Sequence, residues 1–110
     1  MSANVKEILA SQYVNEVIEA TQPVVLDFFS TECPPCEALA PKFEAVADQF
    51  AGKATFLKIF RQGSRELATQ LGVTGSPTLL FFKNGKEAGA RLTGEIKRSE
   101  IKAAVEALLG

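Results

Sequence analysis

The chain has 110 residues, of which 46% are hydrophobic, and a formal net charge of -1 at pH 7. This length and composition predict one domain with its own core, spanning residues 1–110. Balanced charge without a basic tract argues against nucleic acid as a partner, and no apolar run is long enough for a membrane span. The N-terminus lacks the apolar core of a signal peptide and there are only two cysteines, so we expect a cytoplasmic protein.

Hydrophobic periodicity and turn residues predict the elements in chain order. They are a short edge strand at 5–9, a helix at 11–20 with Ser11 as N-cap, a strand at 24–29, a helix at 35–50, a strand at 54–60, a helix at 64–71, a strand at 78–82, a strand at 87–93 and a helix at 99–109. Asn84-Gly85 predicts the hairpin between the last two strands. The order β-α-β-α-β-α-β-β-α predicts an α/β fold with a mixed central sheet and helices on both faces.

Both cysteines lie in one motif, Cys33-Pro34-Pro35-Cys36, between the strand at 24–29 and the following helix. A thiol at a helix N-terminus faces the positive end of the helix dipole, which stabilises the nucleophilic thiolate. A C-x-x-C motif beside a βαβ pattern is typical of a redox dithiol. The motif therefore predicts disulfide chemistry.

Other roles for the two cysteines remain open at this point. A purely structural disulfide across so short a loop would add little stability. Structural zinc needs four ligands, and the chain has two Cys and no His, so a metal would require a dimer that pools two motifs. Inert buried thiols are the remaining alternative.

Asp27 is an acid within an otherwise apolar strand segment, residues 24–29. Burial of a carboxylate is costly, so desolvation is expected to raise its pKa. An acid perturbed in this way can accept a proton from a nearby thiol. The alternative is an Asp that faces solvent or caps a neighbouring turn, and the residues alone favour neither.

The chain resembles thioredoxin over essentially its whole length. The residues that carry the resemblance are Asp27-Phe28, Cys33-x-Pro35-Cys36, Pro41, Lys58, the segments 72–78 and 82–85, and Gly94. The resemblance implies a thioredoxin fold and dithiol–disulfide exchange without a bound cofactor. It also implies protein disulfides as substrates, a thioredoxin reductase-type enzyme as electron donor, and a monomer.

The resemblance also implies a role for each site residue. Cys33 would be the more exposed nucleophile and Cys36 the more buried resolving thiol. Asp27 would accept the proton of Cys36, and Lys58 would couple to Asp27, although a solvated Lys58 is the alternative. The substrate would lie along a surface formed by Pro34, Pro35, Gly75, Ser76, Pro77 and Gly94. A cis peptide bond before Pro77 would place the Ser76 backbone beside Cys33; ordinary turn roles for the two glycines remain open.

Several positions of the expected working face depart from the family pattern. Glu32 replaces Trp, Pro34 replaces Gly, Glu37 replaces a basic residue and Ser76 replaces Ile or Val; Arg61 and its neighbours replace acidic residues. Negative charge and a missing N–H near Cys33 disfavour its thiolate. We therefore expect a low redox potential and specialised partners. A non-catalytic binding module and a metal-bridged dimer are the competing functions.

Overall fold

The computed structural model describes residues 3–110. Within that range the strands are β1 (Val5–Ile8), β2 (Val24–Phe29), β3 (Thr55–Phe60), β4 (Thr78–Lys83), β5 (Lys86–Glu87) and β6 (Leu92–Thr93). The α-helices are α1 (Pro34–Gln49), α2 (Arg65–Leu71) and α3 (Arg98–Leu109). No helix in residues 3–110 is long and apolar enough to span a bilayer.

The strands form one mixed sheet in the order β1-β3-β2-β4-β5, with β6 also paired to β4. β3 runs parallel to both β1 and β2, and β4 runs antiparallel to β2. The predicted edge position of the first strand and the parallel pairing of the next two are therefore confirmed. The register places Asp27 of β2 opposite Lys58 of β3.

Both faces of the sheet are covered, which explains why β2 is almost continuously apolar. Val25 belongs to the core between the sheet and helices α1 and α3. Its neighbours Leu26 and Phe28 belong to the opposite core, beneath α2 and the N-terminal helical turns. Because side chains alternate along a strand, Asp27 lies on the Val25 face, the one that α1 covers.

The helix predicted at 11–20 is present as helical structure, but it is shorter, it is not a regular α-helix and it does not begin with Ser11 as N-cap. The chain forms a 3-10 turn at Ala10–Gln12 and a π-helix at Val14–Ile18. In the π-helix the Glu19 N–H donates to the Val14 carbonyl at 2.9 Å, so each turn is wider than an α-turn. Val17 is buried, whereas Val14 and Ile18 are 54% and 39% exposed.

The predicted strand at 87–93 is interrupted, because residues between β5 and β6 leave the sheet. Gly89 has a φ of +79°, which lies outside the extended region of a strand. Arg91 holds the loop in place: its Nε donates to Glu87 at 2.7 Å and its Nη2 donates to the Leu71 carbonyl at 2.6 Å. The hydrogen bonds of Arg91 thus stabilise a loop where the local sequence pattern predicts a continuous strand.

The predicted hairpin at Asn84-Gly85 is confirmed. Both residues have positive φ, +54° and +77°, as a two-residue hairpin turn requires. Gly85 is also needed for packing, because a Cβ at this position would overlap the Ile18 carbonyl oxygen. The hairpin therefore packs closely against the C-terminal end of the π-helix.

Candidate active site

The dithiol lies at the N-terminus of α1, four residues after β2 ends. Cys33 is the N-cap, and its Sγ accepts a hydrogen bond from the Cys36 N–H at 3.3 Å. Pro34 and Pro35 occupy the first helical positions, where their missing N–H groups break no intrahelical hydrogen bond. The two prolines thus favour a helix that begins at the motif, and this helix start directs the Cys36 N–H at the Cys33 sulfur.

Cys33 and Cys36 form a disulfide, with their Cα atoms 5.2 Å apart. This separation is ordinary for a disulfide, so the backbone at the start of α1 brings the two sulfurs within bonding range. Within residues 3–110, no group of three or more His, Cys, Asp or Glu side chains could hold a metal ion. The structure is therefore that of the oxidised protein.

The predicted order of exposure of the two cysteines is wrong for this oxidised form. Cys33 is only 7% exposed, whereas Cys36 is partly exposed. The Ser76 carbonyl oxygen covers one side of Cys33, 3.6 Å from its Sγ. A bonded sulfur has no proton to donate, so this is a packing contact here. Cys36 instead borders an open cleft.

The segment that covers Cys33 includes the predicted cis bond, which the structure confirms between Ser76 and Pro77. The Ser76 Oγ lies 2.5 Å from the Ser30 Oγ, so the two hydroxyls share a hydrogen bond. Thr78 Oγ1 donates to the Gly75 carbonyl at 2.8 Å. These bonds hold the backbone of residues 75–78 against the end of β2, next to the disulfide.

Ser30 is a site residue that the sequence reasoning missed. Its partner lies 46 residues away in the chain, so no local pattern could pair them. The only available signal was Ser76 itself, a hydroxyl where the family usually has an aliphatic side chain. The Ser76 side chain is partly buried beside Pro77, and Ser30 supplies a hydrogen-bond partner for it.

Asp27 is buried, at 6% exposure, as predicted. Its Oδ1 has no hydrogen-bond partner within residues 3–110. Burial raises the pKa of Asp27 to about 7, although the positive charge of Lys58 opposes part of the rise. The carboxyl group is therefore able to gain and lose a proton near neutral pH.

Lys58 is half-buried and acts electrostatically on Asp27, which disfavours the alternative of a fully solvated strand lysine. Its Nζ lies 5.3 Å from the centre of the Phe29 ring, a cation–π distance. The Phe29 ring thereby holds the ammonium group on the Asp27 side of the sheet. Lys58 is also the residue whose charge lowers the pKa of Asp27.

A cleft of about 190 Å³ joins these groups. Its walls are formed by Asp27, Phe29, Ser30, Cys36, Glu37, Ala40 and Lys58. The cleft is polar at several points and large enough for water molecules. Three residues that were predicted from distant parts of the sequence, Asp27, Cys36 and Lys58, therefore meet in one solvent-connected space.

The other predicted surface residues lie at the same end of the sheet. Pro34 and Pro35 are exposed on the first turn of α1. Gly94 follows β6, in which Thr93 pairs with Thr78. A Cβ added at Gly75 or Gly94 would meet no atom within 4 Å, so open space lies above both. The φ of +73° at Gly94 gives that glycine a backbone role as well.

Comparison with known proteins extends over almost the entire chain. The thioredoxin family model matches residues 4–107. Thioredoxin X, chloroplastic, from Arabidopsis thaliana is 35% identical over 106 residues, which are 96% of this chain and 58% of that protein. The chain therefore spans a little over half the length of this relative.

Two bacterial relatives match along nearly their full length. Thioredoxin from Peptoclostridium acidaminophilum is 34% identical over 110 residues, covering 100% of both chains. Thioredoxin C-2 from Corynebacterium nephridii is 31% identical over 106 residues, covering 96% of this chain and 97% of that one. With its mixed sheet, its flanking helices and its Cys33–Cys36 disulfide, the chain belongs to the thioredoxin family of thiol–disulfide oxidoreductases.

Proposed function

We propose that this protein reduces disulfide bonds in other proteins through the Cys33/Cys36 dithiol. The observation that carries the proposal is the shared cleft. Cys36, in the first turn of α1, and the buried acid Asp27, on β2, both line it. A scaffold that only binds partners needs neither a closable dithiol nor an unpaired buried carboxyl group. Residues 1–110 would act as one domain without a bound cofactor.

The reaction consists of two thiol–disulfide exchanges. The Cys33 thiolate attacks one sulfur of the substrate disulfide, forming a mixed disulfide and releasing the first substrate sulfur as a thiolate. Cys36 then loses its proton and attacks the Cys33 sulfur. The Cys33–Cys36 bond forms, the mixed disulfide breaks, and the second substrate thiolate leaves. Two electrons pass to the substrate, whose two sulfurs take up protons.

Asp27 is the proposed acceptor of the Cys36 proton. With a pKa of about 7, its carboxylate is basic enough to accept a proton near neutral pH and acidic enough to release it. Water in the cleft that both residues line would carry the proton between them. Lys58 would act as a positioning residue, because its charge keeps Asp27 from becoming a weaker acid still.

The substrate would bind across the segment that covers Cys33. An extended peptide could pair with the Ser76 backbone as an added strand, the mode by which many peptides are bound at sheet edges. Pro34 and Pro35 on one side, and Gly75, Pro77 and Gly94 on the other, would border the path. The open space above the two glycines supports this placement.

Insulin reduction with dithiothreitol as electron source tests the proposed function. Wild-type protein is expected to accelerate precipitation of the insulin chains well above the rate with dithiothreitol alone. Cys33→Ser should return the rate to that background, because it removes the attacking sulfur. A wild-type rate equal to background would reject general disulfide reduction and favour the binding module.

A low redox potential is the second part of the proposal. Glu32 and Glu37 are exposed on either side of the dithiol, and Pro34 removes one N–H from the first turn of α1. Each disfavours a thiolate at Cys33 and so disfavours the reduced form. Equilibration with a dithiol of known potential should give a value below about -270 mV, a typical thioredoxin potential. Glu37→Gln should raise it; a wild-type value above that reference would contradict the proposal.

The electron donor would be a thioredoxin reductase-type enzyme specialised for this face, which has Glu32 in place of Trp. We propose that the protein works in the cytoplasm as a monomer, independent of membranes and nucleic acids. The bacterial relatives that match along their full length support this assignment. Fast turnover with an unrelated thioredoxin reductase would contradict the specialised partner.

A further inference from the structure

A polar groove lies next to the dithiol loop, outside the cleft that holds Asp27. Its volume is about 310 Å³. The groove, called here the Arg61 groove, lies between the 3-10 turn at 61–63 and helix α2. It is lined by Arg61, Gln62, Arg65, Ala68, Thr69 and Val73.

One hydrogen bond and the path of the chain place the Arg61 groove beside the reacting sulfurs. The Gln62 Oε1 accepts a hydrogen bond from the Thr31 N–H at 3.3 Å, and Thr31 is two residues before Cys33. At the other end of the groove, Val73 begins the segment that leads to Ser76. The groove therefore adjoins both chain segments that border the disulfide, within a few residues' reach for a bound polypeptide.

The Arg61 groove carries two guanidinium groups without acidic partners. The Nε of Arg61 is buried and has no hydrogen-bond partner within residues 3–110. Neither Arg61 nor Arg65 forms an ion pair in this part of the chain. Nearby acids are exposed: Glu66 follows Arg65 on α2, and Glu32 follows Thr31. A buried, unpaired donor on a permanently charged group is costly, and a rotation of the Arg61 side chain that brings the donor to an added acceptor would remove that cost.

A carboxylate is the acceptor that matches this arrangement. Guanidinium groups bind carboxylates through paired, charge-assisted hydrogen bonds. Because the second guanidinium lies in the same groove, an anionic acceptor is favoured over a neutral amide. A groove of about 310 Å³ has room for a carboxylate side chain.

We propose that the Arg61 groove binds an Asp or Glu side chain of the disulfide-bearing partner polypeptide. The proposal rests on the proposed disulfide reduction and names its substrate class: disulfides with an acidic residue a few positions from the attacked cysteine. The carboxylate would lie against Arg61 and Arg65 while the cysteine lies against Cys33. This face thus selects partners by charge.

Three disulfide peptides that differ at one position near the cystine, carrying Glu, Gln or Lys, provide the test. Wild-type protein should show kcat/KM about tenfold higher for the Glu peptide than for the Gln peptide, as one charge-assisted hydrogen bond implies. Lys should be worse than Gln, and added salt should reduce the differences. In Arg61→Gln/Arg65→Gln the Glu-to-Gln ratio should fall close to one.

Lys83→Gln controls for the loss of positive charge as such, because it removes one charge from an exposed residue at the far end of the sheet. Lys83 follows Phe82, which pairs with Val24 at the start of β2, whereas the dithiol follows the end of β2. This variant should keep the wild-type ratio. If the double variant is poorly folded, Arg61→Lys, which keeps the charge but loses the paired hydrogen bonds, should still lower the ratio.

A second readout separates this inference from the proposed function. S-methylated Glu and Gln peptides cannot exchange disulfides, so their binding is measured by the NMR shift of the Arg61 Nε–H. A larger shift with the Glu peptide supports the groove even if no peptide is turned over, a result that would reject the proposed function alone. Equal shifts, or equal kcat/KM for the Glu and Gln peptides, would overturn the groove assignment.

Discussion

Asp27→Asn is expected to stabilise the oxidised protein at pH 8 and to have little stabilising effect at pH 4. Burial raises the pKa of Asp27 from its usual 3.8 to about 7. Between these values the folded protein holds a proton that the unfolded chain has released, so the stability of the wild type falls as pH rises through this window. Above pH 7 both states are ionised, and the folded protein carries the full cost of a buried charge.

The expected size of this effect follows from the same numbers. The rise in pKa corresponds to a cost of up to about 4 kcal/mol above pH 7, at about 1.4 kcal/mol per pH unit. The pKa of about 7 already includes the attraction to Lys58, whereas the cost of burying the amide of asparagine will reduce the gain. The change in the mutational effect between pH 4 and pH 8 isolates the charge, because the amide does not titrate.

Urea unfolding of the oxidised wild type and of Asp27→Asn at several pH values measures this directly. Glu37→Gln is the matched control: it removes an exposed acid from the same cleft and should show no comparable dependence on pH. A stability difference for Asp27→Asn that is the same at pH 4 and pH 8 would contradict the raised pKa.

Asp27→Asn should also slow turnover near neutral pH, since Cys36 loses its proton acceptor.

Most strands of the sheet could be predicted from the local sequence. The apolar segment of β2, the intervening helix and the Asn84-Gly85 turn each have a pattern specific to one structure, and all three were confirmed. The π-helix at 14–18 could not be predicted in this way. Its β-branched residues, Val14, Val17 and Ile18, are weak helix formers, so packing of Val17 and the nearby hairpin decides the local geometry.

The site was predicted from two sources of different strength. The dithiol follows from residue types and their spacing. The residues alone left the burial of Asp27 open until the family resemblance favoured it, and the cis bond at Pro77 followed only from that resemblance. Contacts between segments that are distant in the sequence could not be predicted from it. The cover that Ser76 provides over Cys33, the Ser30–Ser76 hydrogen bond and the unpaired Nε of Arg61 all depend on where the folded chain brings these segments together.

The division of roles between the two cysteines is the least obvious part of the site. Cys36 is the more exposed residue in the oxidised protein, yet the mechanism assigns the attack to Cys33. The N-cap position supports Cys33, because its sulfur accepts the Cys36 N–H and faces the helix N-terminus. Exposure of a bonded sulfur therefore does not identify the nucleophile of the reduced form.

Trapping of the mixed disulfide tests this central claim most directly. Reduced Cys36→Ser and Cys33→Ser proteins are each mixed with a disulfide peptide, quenched with acid and analysed by mass spectrometry. Cys36→Ser should accumulate a one-to-one adduct through Cys33, since no second thiol remains to release it, while Cys33→Ser should form at least about tenfold less in the same time. Faster adduct formation by Cys33→Ser would contradict the account, because Cys36 would then be the attacking thiol.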